Sequence, residues 1–344
     1  MSVGFAERKS LTQLRALALQ CGINTSGTKA TLASLVTKTL LNHQPLAPGA
    51  RVLSIDLGIR NLAYSLLIPP AVPTLGNPLP IVRAWRPLAL VPPAGEDDAA
   101  PDFSPASLSQ ITLSLVQEHL LPLKPTHVLV ERQRFRSGGG SGVYEWTVRV
   151  NSLEAMLYAT FTTLKALGHW DGVVIPVDPK RVGTFMLENP KEGRKASYDG
   201  DPKESEFEEN GTEGNGPQLA AEKEAIASAG VKGIRWNSAR EKKKQKIDLL
   251  AGWLARDQIS MEGIEAQAMK IAFLEKWFPK KYRRLPDPKT LMREGLTENM
   301  KKLDDVTDSL LQGIAWIRWE ENKTKLIMKP WDLHEQHGAR AKRG

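Results

Sequence analysis

A single cysteine, Cys21, cannot close an internal disulfide and leaves no cysteine-rich zinc site, which fits a reducing compartment. The chain has only six histidines. No apolar run approaches the ~18 residues that a membrane span needs, which predicts a soluble protein with no membrane partner. Charge is plentiful: the net charge of +8 and pI near 9.4 favour a polyanionic partner, because clustered Lys and Arg are the electrostatic footprint of nucleic-acid binding. At 344 residues the chain can hold one large domain, or a medium one with an appendage. Its first residues carry Arg8, Lys9 and Arg15 against Glu7 alone, with Leu11, Leu14, Leu17 and Leu19 near helical spacing. A weak mitochondrial presequence and a helix of a folded module explain that pattern equally well.

Two short helices are expected at the start, Leu11–Gln20 and Lys29–Leu41, joined by Gly22-Ile-Asn-Thr-Ser-Gly-Thr28. Their leucines supply a small shared core, and Ser26 and Thr28 are placed to cap the second helix. The leucine-patterned helices around a Thr-Ser-Gly-Thr-Lys turn resemble a SAP domain, here residues 1–46. The resemblance implies DNA binding, with Lys29 and the turn amides near phosphate. The alternative is a generic helical hairpin docked on the main domain. A Pro-containing linker, His43 to Gly49, follows.

The main domain opens on Arg51-Val-Leu-Ser-Ile-Asp-Leu-Gly-Ile-Arg-Asn61, a mostly apolar strand that carries one carboxylate, Asp56. A buried strand tolerates an unpaired carboxylate badly, so Asp56 asks for a partner, most simply a metal ion; the plain alternative is an Asp capping the turn at Gly58. Further strands are read at Asn61–Ile68, Ile81–Val91, His127–Arg132 and Gly172–Val177, with helices at Ser107–Leu121 and Glu145–Leu167. Three antiparallel strands followed by helix and strand in alternation is the order of the ribonuclease H-like fold, α/β with a five-stranded mixed sheet flanked by helices. In that fold the first and fourth strands are neighbours, which brings Asp56 beside Glu131. This core is expected to run over residues 50–190 and 231–329, interrupted by an acidic, Gly-rich insertion, 191–230, that lacks the apolar residues to offset its ordering entropy. A basic tail, 330–344, ends the chain.

Two helices of the second part carry the remaining signals. Ser238–Ala255 has Ile247, Leu250, Trp253 and Leu254 on one face and Arg240, Lys242, Lys243, Lys244 and Lys246 crowding its beginning. That crowding opposes the helix dipole and is tolerable chiefly if phosphate neutralises it. Lys301–Trp319 has a buried stripe of Val306, Leu310, Gly313, Ile314 and Ile317, flanked by Asp304, Asp305 and Asp308. Three acids within five residues repel one another unless a cation gathers them. Oxygen-only ligands suit Mg²⁺ or Mn²⁺, and two such ions can drive phosphodiester hydrolysis by water, with no small-molecule cofactor. An actin-like or sugar-kinase-like ATPase, whose phosphate site also opens on Asp-x-Gly, would need a second such hairpin and a Gly-rich adenosine motif, and neither is present.

Ser54–Ala63, Val130–Ser137 and Lys302–Gln312 resemble the three acidic motifs of the fungal mitochondrial Holliday junction resolvases, relatives of bacterial RuvC. The resemblance implies a homodimer in the mitochondrial matrix that resolves four-way DNA junctions by symmetric paired nicks. It assigns Asp56, Glu131 and Asp308 as catalytic metal ligands, with Asp305 or Asp304 as the fourth. Gln133, Arg134 and Arg136 match the family's junction-facing basic motif, and Arg60, Lys242, Lys243, Lys244 and Lys246 are added as DNA-binding candidates. Another ribonuclease H-like nuclease, or a non-catalytic junction-binding protein with a SAP domain, are the alternatives.

Overall fold

A computed structural model describes residues 5–70, 79–91, 102–133, 145–188, 239–278 and 302–328. Strands β1 (Val52–Asp56), β2 (Leu62–Ile68), β3 (Ile81–Leu88), β4 (His127–Glu131) and β5 (Val173–Val177) form one sheet in the order β3-β2-β1-β4-β5. β1 pairs antiparallel with β2 and parallel with β4, so the sheet is mixed and has the ribonuclease H-like strand order. The central β1 and β4 are buried on both faces, which is why they read as nearly continuous apolar runs.

Helices α3 (Pro105–Ser114) and α4 (Glu145–Ala166) cover one face, over Leu53, Ile55, Val128 and Val130. The other face takes α5 (Pro179–Glu188), α6 (Ala239–Ala255), α7 (Ile264–Trp277) and α8 (Asp304–Met328), over Val52, Leu67 and Leu129. Several expected boundaries move, among them the end of α8, which runs past the expected Trp319 to Met328. β3 stops at Leu88 because the amides of Leu90 and Val91 turn to Ile59 O instead of the β2 ladder. The next helix starts at Pro105 behind a Ser104 cap, then widens at Leu115–Leu120 into a π-helical turn before Pro122, which has no amide to continue the helix. The insertion 191–230, the tail 330–344, Arg134 and Arg136 lie outside the described residues.

α1 (Leu11–Gln20) and α2 (Lys29–Leu41) occupy the expected spans. Ser10 and Gln13 close a reciprocal capping box on α1, and Thr28 Oγ1 accepts the Thr31 amide at 3.2 Å on α2. Their core of Leu14, Leu17, Leu32, Val36 and Leu40 is completed by Leu326 of α8. Asn322 Nδ2 donates to Gln20 O at 2.8 Å and Arg181 Nη1 to Gly22 O at 2.8 Å, so the hairpin is fixed to the C-terminal half of α8 and to α5.

The N-terminal half of α8 is tied to three strands. Trp85 Nε1 donates to Val306 O at 2.9 Å, Ser65 Oγ to Ser309 O at 3.1 Å, and Gln312 Nε2 to Ser54 Oγ at 3.0 Å and Ile55 O at 3.1 Å. Gly313 permits this approach: a Cβ there would run into Leu67 Cδ1 and sit 3.2 Å from Ser54 Cβ. Gly313→Ala is therefore expected to destabilise the fold by ~1–3 kcal/mol, read as a lower urea midpoint at unchanged slope. An unchanged midpoint would mean that α8 has slack against β1 and β2.

Candidate active site

Alternation along a strand places Val52, Ser54 and Asp56 on the α8 side of β1, and His127, Leu129 and Glu131 on the same side of β4. The parallel register sets Ile55 opposite Val130, so Asp56 and Glu131 end neighbouring strands together. Their carboxyl groups share a hydrogen bond. α8 begins across from them with Asp304, Asp305 and Asp308.

The electrostatics separate the five acids. Burial pushes Asp56 well above the ordinary carboxylate range, and Glu131, Asp308 and Asp305 add to the shift by like charge. Burial likewise raises Asp305 to about 7, with help from Asp304 and Asp308. Asp308 is raised by burial and by Glu131 even though Lys246 opposes the shift. Asp304 goes the other way: burial pushes it up, but the hydrogen bond and charge of Lys243 outweigh that and hold it low. Asp305 and Asp308 act on Asp56 by like charge, whereas Asp304 is paired with Lys243.

The lysines at the start of α6 were expected to be balanced by phosphate; two of them instead meet carboxylates of α8. Lys243 Nζ lies 2.9 Å from Asp304 Oδ2, and Lys246 Nζ pairs with Asp308 Oδ1. Lys242 and Lys244 are exposed, as are Lys29 and Arg60. Gln133 directs its backbone amide to Glu154 Oε2 of α4 at 3.1 Å. Glu154 and Gln312 were not singled out in the sequence: both act on backbone or hydroxyl groups far along the chain, and no local pattern marks such a role.

The all-oxygen donor set, buried and mutually repelling, fits a hard divalent cation. Among the described residues no three acids converge closely enough to hold one, and Asp304 and Asp308 are paired with Lys243 and Lys246. A pH dependence follows. Because Asp56, Asp305 and Asp308 have raised pKa values, the stability they contribute is full below the ordinary value of 3.8 and is lost as pH rises through their folded values, about 7 for Asp305. Depressed Asp304 contributes in the opposite sense, but its contribution is lost only as pH falls below 3.8. The Tm in EDTA should fall between about pH 5 and 7.5, and Asp305→Asn should flatten that slope. A slope unchanged in the variant would contradict the assignment.

A family described as "Mitochondrial resolvase Ydc2 / RNA splicing MRS1" matches residues 52–326. The chain is 34% identical over 139 residues to "Cruciform cutting endonuclease 1, mitochondrial" of Schizosaccharomyces pombe, an overlap covering 40% of this chain and 50% of that protein. It thus spans about half the length of this curated relative. The crystal structure of the yeast mitochondrial Holliday junction resolvase Ydc2 superposes with a TM-score of 0.53 at 23% identity, covering 92% of this chain and 95% of that one, which shows a common fold. With the matched segment running from the first residue of β1 to Leu326 of α8, and so taking in all five acids, the chain belongs to the mitochondrial resolvase Ydc2 / RNA splicing MRS1 family.

Proposed function

We propose that this protein is a divalent-metal-dependent endodeoxyribonuclease that resolves four-way DNA junctions by symmetric paired nicks, as a homodimer in the mitochondrial matrix. The observation that carries the reading is the carboxyl pair of Asp56 and Glu131, held in one hydrogen bond with Asp305 and Asp308 set against it across the end of the sheet. A structural role would bring a partner cation to Asp56; it has further acids instead. Membership of a family that includes mitochondrial resolvases, and a relative named as a mitochondrial cruciform cutting endonuclease, supply the substrate and the compartment.

Asp56, Glu131, Asp305 and Asp308 would hold two Mg²⁺ or Mn²⁺ ions. Bound there, the ions lower the pKa of an attacking water and neutralise charge on the leaving oxygen. The rest belongs to the chain. Gln312 and Gly313 fix the spacing between α8 and β1, and Glu154 steadies the backbone two residues after Glu131. Lys242, Lys244, Arg60 and the Gln133, Arg134 and Arg136 segment meet phosphates around the cut. Residues 1–46 act as a SAP-like module on DNA farther out: it docks near Leu326, 18 positions along α8 from Asp308, or ~27 Å at 1.5 Å per residue. With water as nucleophile, the products carry 5′-phosphate and 3′-hydroxyl ends.

The test is a comparison of cleavage and affinity on a four-way junction, linear duplex, RNA–DNA hybrid and a folded RNA of equal length, in Mg²⁺ and in EDTA. Metal-dependent cleavage confined to the junction supports the proposal. Cleavage of the hybrid moves the chain to another nuclease of the same fold, and tight RNA binding without cleavage moves it to the splicing branch of its family.

A further inference from the structure

At the end of the molecule that holds the carboxylates, two rings lie between two cations in a row of four side chains. Arg60 of the β1–β2 turn lies over the Trp146 ring with its guanidinium 5.8 Å from the centroid. Trp146, at the start of α4, meets Phe103 edge to face at 6.0 Å and 77°. Arg149 lies over Phe103 at 3.9 Å and is held from behind by Glu145. Trp146 is 41% exposed, a large apolar surface to leave in water beside two guanidinium groups.

The two guanidinium contacts differ in a way that matters. At 3.9 Å the Arg149–Phe103 stack is closed. At 5.8 Å the Arg60–Trp146 contact is near the ~6 Å limit of the interaction, and about an ångström short of the ~6.8 Å that a planar ring occupies between two stacking partners at 3.4 Å each. Arg60 is exposed and follows the turn at Gly58, so a shift of that size costs little. The gap is also linked to the acids along α4. Glu154, whose carboxylate holds the Gln133 amide two residues past Glu131, is eight positions along α4 from Trp146, or ~12 Å. That is three to four nucleotide steps of ~3.4 Å.

Resting on the nuclease reading above, we propose that the Arg60–Trp146 gap is a nucleobase site, which takes an unpaired base of the bound DNA three to four nucleotides from the bond that is cut. A base inside a duplex is already stacked on both faces and cannot enter. A base freed where strands exchange can, and the flanking guanidinium groups suit the phosphates on either side of it. The site would therefore contribute to selecting branched over linear DNA.

The experiment uses the full-length Asp56→Asn protein, which leaves DNA uncut, with junctions carrying 2-aminopurine at successive distances from the cutting position. Three to four nucleotides away, the probe should be quenched in the complex and brighten when Trp146→Ala is added. Junction affinity should fall on the order of tenfold while duplex affinity holds. Trp146→Phe should restore most of both, and Arg60→Ala should reproduce the loss in part. Equal fluorescence with and without Trp146, or duplex affinity falling in step with junction affinity, would overturn the proposal. A 2-aminopurine single strand separates the two readings. If the protein shows no junction preference but Trp146 quenches the single strand, the base site stands and the resolvase reading falls; if Trp146 leaves the single strand unquenched as well, the base site falls with it.

Discussion

Asp56→Asn is expected to lower junction cleavage by at least about a hundredfold while junction affinity stays close to wild type. Losing a partner one shell out from a metal already costs 10–100-fold in typical sites, and Asp56 touches both sides of the cluster. The same substitution should raise the Tm of the protein in EDTA at neutral pH. In the parent, Asp56 is desolvated and, among the described residues, meets Glu131, Asp305 and Asp308 as its main charged neighbours. Asparagine keeps the shape and can still hydrogen-bond Glu131, but it removes the repulsion. Loss of activity together with a gain in stability is the signature of a carboxylate kept for chemistry. If the variant is less stable in EDTA, Asp56 is a structural residue and the site has been read wrongly.

Lys246→Met should have the opposite effect on stability. The Lys246 ammonium pairs with Asp308 where both side chains are largely out of water, 19% and 30% exposed. Without it Asp308 faces only other acids, since Lys243 is engaged by Asp304 at 2.9 Å. A fully buried pair broken in this way costs ~3–5 kcal/mol; partial exposure brings the expectation here to ~1–3 kcal/mol and a Tm lower by several degrees at pH 7.5 in EDTA. Mn²⁺ should then reverse the effect. In the parent a divalent ion bound at the acids would have to compete with the Lys246 ammonium for Asp308; in the variant it would not, so the rise in Tm at a given Mn²⁺ concentration should be larger. An equal or smaller rise would show that Lys246 does not guard the cation site.

The placement of the strand acids was legible because it depends on strand alternation and on the order of the elements. Period-two alternation and a parallel first-to-fourth strand pairing are enough to bring Asp56 beside Glu131, and three aspartates beside an apolar stripe mark the start of α8. The partners of the α6 lysines were not legible. Lys246 and Asp308 are 62 positions apart, and their meeting depends on how α6 packs across α8, which no local window contains. α7 went unread because much of its buried face is alanine, Ala266, Ala268 and Ala272 beside Met269 and Phe273, and alanine gives little hydrophobic contrast. Asp304 and Asp305 could not be ranked from spacing, since both can share a face with Asp308; only the Lys243 contact separates them.

The most direct single measurement is to map the cuts on a four-way junction in Mg²⁺, labelling each of its four strands in turn. Two nicks are expected in strands of like polarity, related by the twofold of the junction, each leaving a 5′-phosphate and a 3′-hydroxyl. Nicks in one strand only, cuts scattered over the arms, or 3′-phosphate ends would contradict that expectation.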